Sequence, residues 1–265
     1  MTLDVVIATY KPEGIHRVEN MNLPLIPGIR YIISWQAHQN VAIPEKLNRN
    51  DILILRSESI GLSANRNNAI LHSTADIIYI ADDDIEIFHD TFINILNRFS
   101  QYPDTDVATF MLKETNPEHY PKEIADLGFY LPKNYNILSY CMAFRSKVKN
   151  ILLFNTTFGI NSGVFESGED ELFHLQARKK GLKCRFFPDI IASHPDLSTG
   201  ERKITDRRIV LSMGAIITLS YPRSFLLRLL MKAYRLHIRR QYPFSKAIPA
   251  LFEGSMRSFK LVDDV

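Results

Sequence analysis

The chain has 265 residues, of which 46% are hydrophobic and 23% are charged. This composition is typical of a globular protein with a sizeable core and excludes a disordered or fibrous chain. Two cysteines, Cys141 and Cys184, are too few for a disulfide framework and lack metal-ligand spacing, so we expect a reducing compartment. No basic region followed by a long apolar stretch opens the chain, which argues against a signal peptide. The longest apolar run, 209–221, is too short to span a bilayer.

Apolar runs and helical segments alternate through the first part of the chain. The predicted strands are 3–8, 30–35, 52–56, 77–81 and 106–112. Predicted helices cover 13–20 and a segment from Asp90, and 61–71 is predicted to be a loop that runs into a helix, which Ser63 could cap. This alternation predicts an α/β fold, with a Rossmann-like, mainly parallel sheet flanked by helices.

The next part of the chain is less regular. Segment 113–136 is polar and proline-rich and is expected to form a long loop, followed by strands at 141–145 and 186–192. A helix between those strands is predicted from its ends, because Ser167 can cap it and Gly181 can terminate it. Its first turn holds Glu169, Asp170 and Glu171, which could simply stabilise the helix dipole.

The C-terminal part of the chain is basic. Residues 220–265 carry nine Lys and Arg against three acids, a net +6, so the remainder of the chain is −3. We expect a catalytic domain at 1–205 and a helical, basic extension at 206–265. Phe225, Leu226, Leu229, Leu230 and Ala233 form an apolar stripe, and Arg228, Lys232, Arg235 and Arg239 follow another face. Such a helix can lie in an anionic membrane surface, or it can pack on its own domain with a solvated cationic face.

The strand at 77–81 runs into three consecutive carboxylates, Asp82, Asp83 and Asp84. In an open α/β sheet, the carboxyl ends of the strands form the ligand crevice. Three like charges there repel one another unless a cation joins them, and Mg²⁺ or Mn²⁺ usually brings a phosphate with it. The alternative is a solvated acidic turn in which Asp84 or Asp90 caps the next helix.

Four segments together resemble the inverting glycosyltransferases of family two, which share the GT-A fold. Val-Val-Ile-Ala-Thr-Tyr at 5–10 resembles the first strand, and Gly-Leu-Ser-Ala-Asn-Arg-Asn at 61–67 resembles the loop and helix near the donor. Asp-Asp-Asp-Ile at 82–85 resembles the Asp-x-Asp metal motif, and Gly-Glu-Asp-Glu-Leu at 168–172 the motif that carries the base. The likeness covers about the first 195 residues.

The resemblance implies roles for individual residues. It assigns donor binding to Thr9, Tyr10, Gln36, Arg66, Asp82 and Asp83. It assigns metal binding, with Mn²⁺ or Mg²⁺, to Asp82, Asp84 and His194. Asp170 is implied as the catalytic base and Glu169 as the residue that orients the acceptor. The register of the acidic motif stays open, because Asp82 and Asp84 could frame it or Asp83 could be the main ligand, and a lone His194 can also be structural.

The implied reaction is a metal-dependent transfer of a sugar, with inversion, from a nucleotide-diphosphate donor to a hydroxyl. UDP is the expected nucleotide. The acceptor is expected to be a glycan or lipid-linked glycan in surface polysaccharide synthesis. We expect a cytoplasmic protein, peripheral at the inner face of the cell membrane through 223–240.

Two other classes of function remain as alternatives. A nucleotidyltransferase usually has a Gly- and Lys/Arg-rich loop after its first strand, whereas 9–14 has one Lys and one Gly. A non-enzymatic module could bind sugar or nucleic acid through the basic extension. Few aromatic residues interleave with the cations before Tyr234 and Tyr242, so we expect no nucleic-acid partner.

Overall fold

The computed structural model of the protein describes residues 1–128, 131–132, 135–194 and 206–260. The strands are β1 (Leu3–Tyr10), β2 (Ile29–Gln36), β3 (Ile52–Ser57), β4 (Ile77–Asp82), β5 (Glu86–Ile87), β6 (Val107–Leu112), β7 (Ala125–Asp126), β8 (Met142–Arg145) and β9 (Cys184–Ser193). The helices are α1 (Lys11–Asn20), α2 (Leu62–Leu71), α3 (Thr91–Gln101), α4 (Glu169–Lys179), α5 (Arg207–Ser220), α6 (Phe225–Ile238) and α7 (Phe244–Phe259). Every helix in the described part of the chain falls short of the length and apolarity that a membrane span needs.

The chain divides into two compact units. The first, which we call the sheet unit, comprises Met1–Ile60, Ala64–Phe154 and Gln176–Pro195. The second, the helical unit, comprises Gly61–Ser63, Asn155–Leu175 and Asp196–Val265. These units are defined by packing, so the proposed domains 1–205 and 206–265 stay a prediction.

One sheet runs through the sheet unit in the order β3-β2-β1-β4-β8-β6-β9-β5, and β7 pairs with β9. The first four strands in this order are parallel, and β6 is parallel to β9. Antiparallel pairs arise where β8 joins β4 to β6 and where β5 and β7 flank β9. The predicted α/β sheet flanked by helices, with a C-terminal helical extension, is confirmed.

A buried carboxylate near the start of β1 fixes the chain that leads into β4. Asp4 accepts two hydrogen bonds from Arg30, at 3.0 and 2.8 Å, and one from Ser73 Oγ at 2.8 Å. The backbone N–H groups of Thr74 and Ala75 also donate to it. Burial acts to raise the pKa of Asp4, but these hydrogen bonds outweigh it and the pKa is lowered. The carboxylate therefore stays ionised and holds the loop before the acidic strand.

Both predicted serine caps are wrong. Helix α2 begins at Leu62, so Ser63 lies inside its first turn, and its Oγ donates to the Phe158 carbonyl at 2.6 Å. Helix α4 begins at Glu169, and the Gly168 carbonyl accepts the hydrogen bond from the Leu172 N–H. A glycine therefore precedes each helix. The predicted terminator Gly181 is confirmed, with a φ of +75° just after the helix.

Two glycines bring α5 and α7 together in the helical unit. A Cβ added at Gly214 would lie 2.1 Å from the Leu251 carbonyl oxygen, and one added at Gly254 would lie 1.8 Å from the Leu211 carbonyl oxygen. The Thr218 and Ser255 hydroxyls are hydrogen-bonded across the same contact at 2.8 Å. The two backbones therefore approach more closely than any larger residue allows.

We expect Gly254→Ala to destabilise the helical unit by about 3 kcal/mol, because the added methyl group meets backbone that cannot rotate away. The gain in helix propensity, about 1 kcal/mol, is too small to offset this. Thermal unfolding of the full chain measures the loss. Gly128→Ala is the control, because nothing lies within 4 Å of a Cβ added there. Equal melting temperatures for the two variants would contradict the close helix contact.

Candidate active site

The carboxyl ends of three parallel strands meet at one edge of the sheet unit. Tyr10 at the end of β1 pairs with Gln36 at the end of β2, and Ala8 pairs with Asp82 at the end of β4. Thr9 is buried, whereas Tyr10 is 42% exposed at this edge. Four residues that the sequence predicted as donor-binding are thus neighbours in the sheet, as parallel strand ends require.

The first residue of the acidic turn, Asp82, is paired with an arginine. Arg66 lies on α2 and is almost fully buried, and its Nη2 donates to Asp82 Oδ1 at 2.8 Å. The guanidinium also lies 5.5 Å from the centre of the Phe154 ring. Arg66 therefore orients Asp82 from within the protein.

The second residue, Asp83, has both carboxylate oxygens engaged. Arg17 on α1 donates to Oδ1 at 3.0 Å and to Oδ2 at 2.9 Å, and Thr9 Oγ1 donates to Oδ2 at 2.5 Å. Burial raises the pKa of Asp83, and Arg17 and Thr9 oppose that rise. A Cβ added at Gly14 would lie 2.2 Å from Thr9 Oγ1, so this glycine allows α1 to approach the pair.

The third residue, Asp84, is half exposed and lies beside a histidine. His194 Nε2 lies 3.7 Å from Asp84 Oδ1, just after β9. Burial and then the charge of Asp82 raise the pKa of Asp84, against the opposing charges of His194 and Arg17. Among these three aspartates, Asp84 is therefore the one whose negative charge is least compensated.

Two neighbours hold His194 in place. Its backbone N–H donates to Glu114 Oε2 at 3.0 Å, and the adjacent Ser193 hydroxyl donates to Glu114 Oε1 at 2.5 Å. Its ring lies 5.6 Å from that of Tyr140. The end of β9 is thus anchored beside the acidic turn, and metal binding by His194 stays a prediction.

The acidic turn fits a divalent cation whose ligands include both carboxylates of the protein and oxygens of a phosphate. The described residues contain no group of three or more His, Cys, Asp or Glu side chains that could cage a metal alone. Mg²⁺ is usually held by one or two carboxylates, with substrate phosphates and water completing its shell. The undercompensated charge of Asp84 suits such an arrangement. In the described structure Asp90 precedes α3 without a side-chain capping hydrogen bond, so the helix-cap alternative gains no support.

Gln36 is built into the end of β2. It is buried, and its Nε2 donates to Ser59 Oγ at 2.8 Å. Beside it, the Trp35 indole N–H donates to the Lys11 carbonyl at 2.8 Å, and Lys11 has a φ of +65°. This hydrogen bond supports a backbone conformation that non-glycine residues rarely adopt. A direct contact from Gln36 to the donor stays a prediction.

The helical unit holds the second acidic motif. Glu169, Asp170 and Glu171 occupy the first turn of α4, as predicted. Glu171 is exposed and lies directly after Asp170 in this turn. Gly168 has a φ of +93°, and a Cβ added there would lie 2.6 Å from Ile216 Cγ1 of α5. The motif thus begins on a turn that packs closely on α5.

The structure groups the predicted residues in two sets. The sheet unit contains all predicted donor and metal residues: Thr9, Tyr10, Gln36, Arg66, Asp82, Asp83, Asp84 and His194. The helical unit contains Glu169 and Asp170. Sequence reasoning missed Arg17 and Glu114, whose roles depend on contacts across 66 and about 80 positions. No local sequence signal identifies either residue.

A mainly parallel sheet flanked by helices, with an acidic turn at the end of β4, matches the GT-A fold of solved glycosyltransferase structures. The family model described as glycosyl transferase family 2 matches residues 36–165. This match spans just under half of the chain and supports an enzyme of glycosyl transfer. No curated protein sequence matches the chain.

Solved structures share the fold. TarS 1-349 from S. aureus is 16% identical, with a TM-score of 0.62 over 98% of this chain and 92% of that chain. Its complex with UDP-GlcNAc is 15% identical, with a TM-score of 0.58 over 98% and 92%. The mannosyltransferase PcManGT from Pyrobaculum calidifontis, in complex with GDP-Man and Mn²⁺, is 14% identical, with a TM-score of 0.54 over 97% and 75%. At these identities the likeness concerns the fold.

Proposed function

We propose that the enzyme transfers a sugar, with inversion, from a nucleotide-diphosphate donor to a hydroxyl of a glycan or lipid-linked glycan. The observation that carries the proposal is the acidic turn, where Asp82 and Asp83 are paired with arginines and Asp84 faces His194. One of the similar structures is a complex with UDP-GlcNAc, and another is a complex with GDP-Man and Mn²⁺. These two structures support a nucleotide-sugar donor. UDP is the nucleotide we propose.

Asp84 is the main proposed ligand for Mn²⁺ or Mg²⁺, with His194 beside it and Asp82 as a second carboxylate. When bound, such a cation neutralises the charge that develops on the leaving diphosphate. Asp83 has a different proposed role, because its oxygens are engaged by Arg17 and Thr9. It fixes the shape of the turn that presents Asp84.

Arg66 acts as a positioning residue in this account. Its side chain is almost fully buried and donates to Asp82, so it orients the carboxylate and balances its charge. A bidentate or charge-assisted hydrogen bond of this kind restricts the carboxylate to one geometry. Thr9, Tyr10 and Gln36 remain the proposed contacts to the nucleoside at the same strand ends.

Asp170 is the proposed general base, and Glu169 the proposed acceptor-orienting residue. A sugar hydroxyl has a very high pKa, so a carboxylate must take its proton as the attack proceeds. Attack from the side opposite the leaving diphosphate inverts the anomeric centre in one step. This reaction requires no covalent enzyme nucleophile.

The proposed setting is surface polysaccharide synthesis at the inner, cytoplasmic face of the cell membrane. The support is the basic C-terminal extension, with nine Lys and Arg against three acids in 220–265. A lipid-linked acceptor would bring its hydroxyl to an enzyme that lies on that surface. A screen of sugar nucleotides would identify the sugar that the enzyme transfers.

Thermal unfolding with a panel of nucleotides tests the proposed donor site. We expect UDP with Mn²⁺ to raise the melting temperature, and UDP with a chelator to leave it unchanged. A ligand at 100 times its dissociation constant stabilises the folded state by about 2.7 kcal/mol, so the shift is readily measured. Stronger stabilisation by a nucleoside triphosphate would favour a nucleotidyltransferase. Stabilisation by an oligonucleotide alone would favour a nucleic-acid-binding module.

A further inference from the structure

Helix α6 buries one narrow side in the core of the helical unit. Leu229, Ala233 and Leu236 are fully buried there, against α5 and α7. Of the predicted apolar stripe, Leu229 and Ala233 belong to this buried side, whereas Leu226 and Leu230 are exposed. Helices α5 and α7 cover the side of α6 that contains these three buried residues. The periodicity of apolar residues alone does not tell which side of α6 is buried.

A second apolar face of α6 lies in solvent. Successive helical residues are offset by about 100°, which places the exposed apolar side chains on turns opposite the buried side. Each of them is between 44% and 63% exposed. The members of this exposed face are Leu226, Leu227, Leu230, Met231, Tyr234 and Ile238. Apolar patches of this kind on a protein surface usually mark an interaction site.

A row of cations borders the exposed face. The same offset places Arg228, Lys232, Arg235 and Arg239 together along one side of it. Helix α6 contains no Asp or Glu, and within the described residues none of these four cations forms an ion pair with an acid. Lys232 is half-buried and is influenced by the charge of Glu171, whereas Arg228, Arg235 and Arg239 are exposed. The row therefore carries an excess of positive charge.

We propose that α6 docks the protein on an anionic lipid bilayer, with its exposed apolar face inserted at the headgroup boundary and its cation row on the lipid phosphates. Interfacial helices combine a wide apolar face with Lys and Arg at its border. Anionic lipid attracts each such cation, and this complements the charge excess of the row. A second copy of the chain would satisfy the apolar face but would bring further cations instead of anions.

This inference rests on the membrane setting of the proposed function and names the helix face that binds, whereas docking itself requires neither the donor nor the metal. Flotation of the full chain with vesicles of phosphatidylcholine and phosphatidylglycerol, at low salt and without nucleotide, tests it directly. We expect binding to the mixed vesicles, little binding to pure phosphatidylcholine, and weakening as salt screens the headgroups. Failure here would leave the nucleotide experiments unaffected.

Two sets of variants separate insertion from charge attraction. Replacing Leu230, Met231 and Tyr234 by Ser should weaken vesicle binding about tenfold or more. The matched control replaces Leu25, Ile60 and Ile93 by Ser, because these apolar residues are exposed in the sheet unit, and it should bind like the wild type. Replacing Arg235 and Arg239 by Gln should also weaken binding about tenfold or more, whereas Lys122→Gln with Lys180→Gln should not.

Fluorescence reports insertion independently of affinity. The chain has one tryptophan, Trp35, which is fully buried, so Tyr234→Trp adds an exposed reporter on α6. Its emission should shift to the blue with anionic vesicles, and that of Leu25→Trp should not. The proposal is overturned if vesicles fail to bind, if binding survives the triple Ser replacement, or if the emission of Tyr234→Trp does not shift with anionic vesicles. It is also overturned if the exposed face instead forms a dimer in solution, seen by light scattering, with no vesicle binding.

Discussion

Asp170→Asn should reduce sugar transfer about a thousandfold or more while leaving metal-dependent UDP binding within about twofold. Asparagine has the shape of aspartate but cannot accept the proton of the acceptor hydroxyl. The side chain lies in the first turn of α4, in the helical unit, whereas the proposed donor and metal residues all belong to the sheet unit. The substitution therefore removes the proposed base and leaves every proposed donor residue in the sequence.

A purely structural role for Asp170 makes a different prediction. A carboxylate in the first turn of a helix stabilises the helix dipole by about 0.3–1 kcal/mol. If that were its role, Asp170→Asn would lower the melting temperature slightly and preserve turnover. Asp90→Asn is the matched control, because Asp90 is an exposed acid at the start of α3, and it should leave turnover unchanged. Loss of donor binding together with turnover in Asp170→Asn would reject its assignment as the base.

Asp84→Asn should abolish the effect of Mn²⁺ on UDP binding and weaken UDP about a hundredfold or more. Loss of an outer-shell partner alone typically weakens metal binding 10- to 100-fold, so loss of a direct ligand should reach at least the upper end. The unliganded variant should be as stable as the wild type or more stable. Burial and the charge of Asp82 disfavour the ionised form of Asp84, and the substitution removes that penalty.

Asp83→Asn is the comparison that decides the register of the acidic motif. Its carboxylate accepts from both Arg17 and Thr9, so the substitution should lower the melting temperature. Some metal-dependent UDP binding should remain, because Asp84 and His194 are still present. Isothermal titration with and without Mn²⁺ measures both variants. Metal dependence that survives Asp84→Asn but is lost in Asp83→Asn would make Asp83 the main ligand and contradict our assignment.

The sheet edge could be predicted because its signals are local. Apolar runs define the strands, and the acids of the turn follow β4 directly, so the parallel strand ends place Thr9 and Asp82 together. The helix at 169–179 was equally clear from its acidic start and its terminal glycine. In both cases a short sequence pattern is sufficient to predict the element.

Residue pairing within the turn could not be predicted, because it depends on distant parts of the chain. Arg17 reaches Asp83 across 66 positions, and Glu114 holds the end of β9 across about 80. These contacts change the account of the site, since they separate a structural Asp83 from an undercompensated Asp84. A run of three aspartates gives no indication of which member an arginine will pair with.

The buried side of α6 also could not be predicted from the local sequence pattern. The helix is apolar over most of its circumference, so periodicity allows several orientations. Packing against α5 and α7 selects Leu229, Ala233 and Leu236 as the buried side. The close approach of α5 and α7 in turn depends on Gly214 and Gly254, which in sequence resemble any helical glycine.

The most direct test of the central claim is a screen of sugar nucleotides that measures nucleoside diphosphate release with Mn²⁺ and with a chelator. We expect release from one or a few diphosphate sugars, UDP-linked ones foremost, that stops with the chelator and returns when Mn²⁺ is restored. Release that continues unchanged with the chelator would contradict a metal and diphosphate site at Asp84. Release from no sugar nucleotide, by a folded protein with a range of glycan acceptors, would contradict the proposed reaction itself.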